Sequence, residues 1–131
     1  MKKKLNCVLL IDDNQADNNY HRIIIEGMNI TNNIQFALDG FEALEYLNKE
    51  NQEPPELIFL DINMPKMNGW EFLEKYKDLD AKHKAKTTIV MLTTSLNPAD
   101  KEKADKIAEV NGFTSKPLSE EYLKEILEKY F

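Results

Sequence analysis

Three aspartates, a threonine and a lysine hold the chemical potential of this 131-residue chain. Asp61 closes the apolar run Leu57-Ile58-Phe59-Leu60, and Asp12-Asp13 close the similar run Val8-Leu9-Leu10-Ile11. Thr93 follows Thr88-Ile89-Val90-Met91-Leu92, and Lys116 comes just after a short apolar stretch ending near Phe113. Open α/β sheets place their ligands outside the carboxyl ends of their strands. Four such ends on one rim would join three carboxylates, a hydroxyl and an ammonium. That set suits a divalent cation and a phosphoryl group.

Three carboxylates within a few ångströms repel one another unless a positive charge lies among them. Magnesium answers this, since it prefers oxygen ligands and is commonly held by a few carboxylates together with phosphate oxygens. Lys116 adds a fixed positive charge and Thr93 a hydroxyl donor. A carboxylate can also attack phosphorus and form an acyl phosphate. Asp61 stands alone on its strand and is the candidate nucleophile, whereas the adjacent Asp12 and Asp13 are suited to holding metal. Cation, ammonium and hydroxyl would then neutralise charge on the transferring group.

The elements that must position these residues alternate along the chain. The first strand is expected over Leu5–Ile11, rich in Val, Leu and Ile as strands buried on both faces are. Tyr20, Ile23, Ile24 and Gly27 recur at helical spacing and predict a first helix over about 15–27. A short second strand follows from Ile34 to Leu38. Asp39 with Glu42 three residues later has the capping-box arrangement and opens a helix with Ala43, Leu44 and Leu47 on one face. Pro54-Pro55 precede the third strand, Glu56–Leu60.

Asn68-Gly69-Trp70-Glu71 gives a second such cap, with Phe72, Leu73, Tyr76 and Leu79 lining the third helix. Thr87–Leu92 is the fourth strand, and Asn97-Pro98 places Pro at the first position of the next helix, where its missing N–H costs nothing extra. That helix, about 99–110, has only Ala104, Ile107 and Ala108 to bury and should be the least firmly packed. Asn111-Gly112 is expected to end it, Phe113-Thr114 to form a brief fifth strand, and Ser119 to cap a last helix burying Leu123, Ile126, Leu127 and Tyr130.

This is a (βα)₅ pattern, an α/β chain whose right-handed crossovers give a doubly wound, flavodoxin-like parallel sheet in three layers. The strand order 2-1-3-4-5 sets the first and third strands side by side and brings Asp12, Asp13 and Asp61 together. One domain over residues 1–131 is expected, and its size allows a full core.

Taken together, Ile11-Asp12-Asp13-Asn14, Leu60-Asp61-Ile62-Asn63-Met64-Pro65, Asn68-Gly69, Thr93-Thr94 and Ser115-Lys116-Pro117 resemble the receiver domains of two-component response regulators. The likeness is close to the single-domain chemotaxis type and covers essentially the whole chain. It implies that Asp61 accepts phosphate from a phosphohistidine of a sensor histidine kinase or phosphotransfer protein. It implies that Asp12, Asp13, Asp61 and the main-chain carbonyl of Asn63 bind Mg2+, and that Thr93 and Lys116 contact the phosphoryl group. Phe113 stands at the aromatic position that reorients with Thr93, and the Lys116–Pro117 bond would be cis. Phe113 lacks the hydroxyl of the tyrosine often found there, so a switch at this ring must work by packing. Asn63 and Ser95 occupy positions that tune phosphate lifetime, and Thr94 stands where many relatives carry a smaller residue.

A phosphatase or small-molecule phosphotransferase using Asp61 is the competing reading. Aspartate-based phosphatases usually need a second acid two positions on, and Asn63 occupies that place. A receiver that binds partners without phosphorylation is a third reading, disfavoured by the intact acids, Thr93 and Lys116. With the chain ending at Phe131, the expected output is a separate effector protein, reached by a monomer or a phosphorylation-dependent dimer.

The net charge of −6 argues against nucleic acid, whose phosphates are bound by clustered Lys and Arg. Lys2-Lys3-Lys4 is read as a solvated lead-in. The single Cys7 excludes an internal disulfide and reads as a small buried hydrophobe. No apolar run approaches the roughly 20 residues that span a bilayer, and Asp12-Asp13 interrupt any signal-peptide pattern, so a cytoplasmic location is expected. His21 and His83 are expected at the surface. Trp70 is expected to be a partly buried anchor.

Overall fold

A computed structural model describes residues 4–50, 52–84 and 87–131; Lys2 and Lys3, read above as part of a solvated lead-in, lie outside them. Strands and helices alternate as β1 (Val8–Ile11), α1 (Gln15–Met28), β2 (Ile34–Ala37), α2 (Gly40–Leu47), β3 (Leu57–Asp61), α3 (Gly69–Lys77), β4 (Thr88–Thr93), α4 (Pro98–Asp105), β5 (Val110–Ser115) and α5 (Glu120–Tyr130), with a 3₁₀ turn at Ala81–His83. The strands form one parallel sheet in the order β2-β1-β3-β4-β5. The expected topology is the observed one.

Alternation along the strands builds two cores. Leu9, Ile11, Ile58, Leu60, Ile89 and Met91 point to one face, where Ala43 and Leu47 of α2, Phe72, Leu73 and Tyr76 of α3 and Ala104 of α4 cover them. Val8, Leu10, Leu57, Phe59, Val90 and Leu92 point to the other, under Ile25 of α1 and Leu123, Ile126 and Leu127 of α5. Strands buried on both faces explain the unbroken apolar runs. Ala104 is the only fully buried residue that α4 contributes, so its packing is the thinnest of the five helices. Among the described residues no helix is long and apolar enough to cross a membrane.

Four local expectations need correction. The inner face of α1 is Asn18, His21 and Ile25, whereas Tyr20 and Ile23 are 48% and 57% exposed. The apolar stripe read from the sequence is therefore largely the outer face. His21 is accordingly buried, and His83 is buried in the 3₁₀ turn, so neither is a surface residue. At the start of the chain, Leu5 makes only an isolated bridge to Thr31, because the Asn6 side chain bonds the Pro54 carbonyl and the Glu56 N–H before β1 begins.

The fourth difference concerns β5, which runs six residues from Val110, so Asn111-Gly112 lies inside a strand and does not end a helix. The register skips a residue there: Ile89 pairs with Val110 and Val90 with Gly112. Asn111 occupies the bulge, and its Oδ1 accepts the Ile89 N–H at 3.0 Å. A bulge leaves one residue without a ladder partner, and here a side chain supplies the missing acceptor. At Gly112 an added Cβ would lie 2.6 Å from the Tyr122 hydroxyl. Asn and Gly are thus used for a bulge under a packed helix, although the pair commonly marks a turn.

Candidate phosphoryl-transfer site

The strand ends carry the site residues to one rim. Asp12 follows β1 and is tied to β2 by its N–H to the Ala37 carbonyl at 3.0 Å. Asp61 ends β3 and Thr93 ends β4. Lys116 leaves β5 with its N–H on the Thr93 carbonyl at 2.7 Å, and its bond to Pro117 is cis. Asp12, Asp61 and Thr93 are buried while Asp13 and Asn63 are exposed, so the cluster opens to solvent on one side. One carboxylate oxygen from each of Asp12, Asp13 and Asp61 falls within 4.8 Å of the others.

Lys116 reaches into this group from β5. Its Nζ is 2.6 Å from Asp12 Oδ2 and 3.4 Å from Asp61 Oδ1. It also donates to Asp17 Oδ2 of α1 at 2.9 Å. Burial alone would lower the lysine's pKa, but bonds to Asp12 and Asp17 and the nearby Asp61 charge outweigh it, and the ammonium is held above its ordinary value. Asp61 moves the other way: burial, then the Asp12 charge, push its carboxyl up to about 6 against the opposing pull of Lys116. Burial, then Lys116, lower His21, which favours its neutral form behind the site.

The loops are shaped around this cluster. Asn14 caps α1 by accepting the Asp17 N–H, and its own N–H donates to Asp12 Oδ1 at 2.9 Å. Asn18 Nδ2 donates to the Asp12 carbonyl at 2.9 Å. After β3, Lys66 adopts a left-handed φ of 67°, and the Gly69 N–H returns to the Ile62 carbonyl at 2.8 Å. Asn68 and Glu71 then form the capping box that starts α3. The Thr93 hydroxyl is engaged within its own loop, donating to the Ser95 carbonyl at 3.0 Å and accepting its N–H at 3.2 Å. Phe113 is half-buried against the core under α2, α3 and α4, and Trp70 is half-buried beside Lys103, whose Nζ sits 4.6 Å from the indole ring.

All the predicted strand-end residues therefore converge, with Asn63 two residues beyond Asp61 in the adjoining exposed loop. The residue that sequence reasoning missed is Asp17. An acid in the first turn of a helix is ordinary there because it meets the positive end of the helix dipole. Its place three residues after the Asn14 cap is the one signal that could have turned it toward the rim.

The donor set fits magnesium. Oxygens of three carboxylates lie within 4.8 Å of one another, burial and then the Asp12 charge raise the Asp61 carboxyl, and buried Asp12 Oδ2 meets the Lys116 ammonium at 2.6 Å without hydrogen-bond geometry. A hard cation with oxygen ligands would satisfy all three conditions.

Comparison with known proteins agrees with this chemistry. A family model described as the response regulator receiver domain matches residues 8–128. The probable methanogenesis regulatory protein FilR2 of Methanothrix harundinacea is 33% identical over 129 residues, covering 93% of this chain and 79% of that protein. The hybrid signal transduction histidine kinase L of Dictyostelium discoideum is 29% identical over 132 residues, covering 98% of this chain but 7% of the kinase. The structure of a two component response regulator from Cytophaga hutchinsonii superposes with a TM-score of 0.89 at 33% identity, covering 98% of each chain. The chain belongs to the response regulator receiver domain family. Such domains are signalling phosphoacceptors, for which aspartate phosphorylation and magnesium binding are typical.

Proposed function

We propose that this receiver works in the cytoplasm, takes a phosphoryl group onto Asp61 from the phosphohistidine of a sensor histidine kinase or phosphotransfer protein, with magnesium, and signals to a separate effector through the face formed by α4, β5 and α5. The observation that carries this reading is the meeting of Asp12, Asp13 and Asp61 within 4.8 Å, beside the Lys116 ammonium. In the transfer, an Asp61 carboxylate oxygen bonds to phosphorus as the phosphorus–imidazole nitrogen bond breaks, and the freed nitrogen takes up a proton. Asp12, Asp13, Asp61 and the Asn63 carbonyl would hold magnesium, which when bound neutralises charge on the acids and the phosphoryl oxygens.

Lys116, already 3.4 Å from Asp61, is placed to pair with the new phosphoryl oxygens. Thr93 would exchange its two bonds with Ser95 for one to the phosphoryl group, leaving space for Phe113 to pack inward. This is a population shift between two arrangements, with the phosphoryl group favouring one. The thin packing of α4 suits it to follow such a change. Asn63 offers no acid for rapid turnover, which favours a phosphoacceptor over a phosphatase. Incubation with a small phosphodonor and magnesium should add one acid-stable, base-labile phosphoryl group by mass spectrometry. Its persistence in Asp61→Asn would overturn the assignment.

A further inference from the structure

Asp17 lies outside the strand-end set, yet it binds the same ammonium. Lys116 Nζ has three hydrogens, and three carboxylates stand around it: Asp12 at 2.6 Å, Asp17 at 2.9 Å and Asp61 at 3.4 Å. Two of these belong to the acid cluster that faces a cation. Asp17 does not: it stands in the first turn of α1, outside the group of acids whose oxygens lie within 4.8 Å of one another. Its position is fixed, since its own N–H is bonded to the Asn14 cap at 3.1 Å and its neighbour Asn18 is bonded to the Asp12 carbonyl.

The lysine side chain is 9% exposed, so its ammonium has little water to fall back on. A nearly buried charge that loses its partner is strongly disfavoured. Were Asp12 and Asp61 to hold a divalent cation, they would pair less with Lys116, and the cation's charge would disfavour the ammonium beside it. Only an anion that is not a metal ligand can then keep the ammonium paired and close to Asp61. We propose that Asp17 is this anion: a positioning residue that seats Lys116 on α1 and frees Asp12 and Asp61 for the cation. Without it, Lys116 would have only the metal ligands to pair with and would compete with magnesium for them. The proposal rests on the magnesium half of the proposed function and is independent of phosphoryl transfer.

The test is a double-mutant cycle on the full chain, titrated with magnesium chloride and followed by calorimetry and by Trp70 fluorescence. Asp17→Asn should raise the magnesium Kd by about fivefold in the wild-type background and by less than about twofold in Lys116→Met, where no ammonium remains to be seated. Asp17→Glu, which keeps the charge, should stay within about twofold of wild type. Circular dichroism melts of each variant report folding separately. An equal increase in both backgrounds would overturn the proposal, because Asp17 would then act only through its general field. No increase in either background would overturn it as well. Wild type that fails to bind magnesium would instead remove the metal site itself, a result distinct from both.

Discussion

Gly69 stands so close to Asp61 that a Cβ on it would lie 2.8 Å from the Asp61 carbonyl oxygen and 3.0 Å from Ile62 Cα. Both obstacles are backbone, so neither can swing aside. The contact lets the first turn of α3 press against the end of β3, and the Gly69 N–H to Ile62 bond holds it there. The strand that ends in Asp61 and the helix behind it are thereby locked in one geometry.

Gly69→Ala should therefore force β3 and α3 apart. Overpacking of this kind costs about 1–3 kcal/mol. For a chain of this size that corresponds to a fall of roughly 3–10 °C in Tm. Because Asp61 itself moves, the rate of phosphorylation by a small phosphodonor should fall along with the melting temperature. A variant with unchanged Tm would show that the helix start yields more easily than the contact implies.

A pH dependence follows from Asp61. Its folded carboxyl is raised from an ordinary 3.8 to about 6, by burial first and by Asp12 second. The folded chain thus holds this proton more tightly than the unfolded one. The resulting stabilisation is fully present below the unfolded value and is lost as pH rises through about 6. Asp61→Asn removes the charge while keeping the shape. It should be close to neutral at pH 4 and stabilising at pH 8, by up to about 3 kcal/mol in the absence of divalent cations. Urea midpoints measured at both pH values with a chelator check this, and added magnesium should narrow the gap at pH 8 by stabilising only wild type.

The bulge in β5 gives a prediction away from the site. Asn111 Oδ1 is the acceptor for the Ile89 N–H, and the Tyr130 hydroxyl donates to the Asn111 carbonyl at 2.9 Å. Asn111→Ala removes the first bond and leaves a strand N–H facing a gap, for a loss of about 1–3 kcal/mol. Amide hydrogen exchange at Ile89 should accelerate by more than the global loss of stability accounts for.

The site and the sheet were legible because both rest on short, strong signals. Asp12, Asp61, Thr93 and Lys116 each end an apolar run, and runs buried on both faces dictate a parallel sheet whose ends share a rim. Helix α1 was not legible in the same way. Its buried face is Asn18, His21 and Ile25; Asn18 is held there by a hydrogen bond to the Asp12 carbonyl and only Ile25 carries a hydropathic signal, so periodicity selected the wrong side. The bulge at Asn111 was hidden for a related reason, since Asn-Gly satisfies a turn and a bulge with equal ease. Asp17 escaped because its partner is 99 residues away, and only the folded chain brings Lys116 to it.

The last prediction concerns the coupling from phosphoryl group to surface. Thr93 now spends both hydrogen-bonding functions on Ser95, so a bond to a phosphoryl oxygen on Asp61 requires the hydroxyl to leave that loop. Phe113 packs half-buried in the same cluster as Ala104 and Ile107, and its neighbour Gly112 lies so close to the Tyr122 hydroxyl of α5 that a Cβ there would be 2.6 Å from it. Movement of the ring would consequently be felt by both helices that flank β5. Beryllofluoride with magnesium mimics the phosphoryl group without turnover and allows NMR of a stable state. In wild type the methyl groups of Ala104 and Ile107 and the rings of Phe113 and Tyr122 should shift together on its addition. Thr93→Ala should still bind beryllofluoride, since Asp61, Lys116 and the acids are intact, but the four shifts should shrink by at least about half, consistent with loss of the hydroxyl that biases the equilibrium. Thr93→Ser, which keeps the hydroxyl, should recover them. Equal shifts in wild type and Thr93→Ala would show that the surface responds to the phosphoryl group by a route that bypasses Thr93.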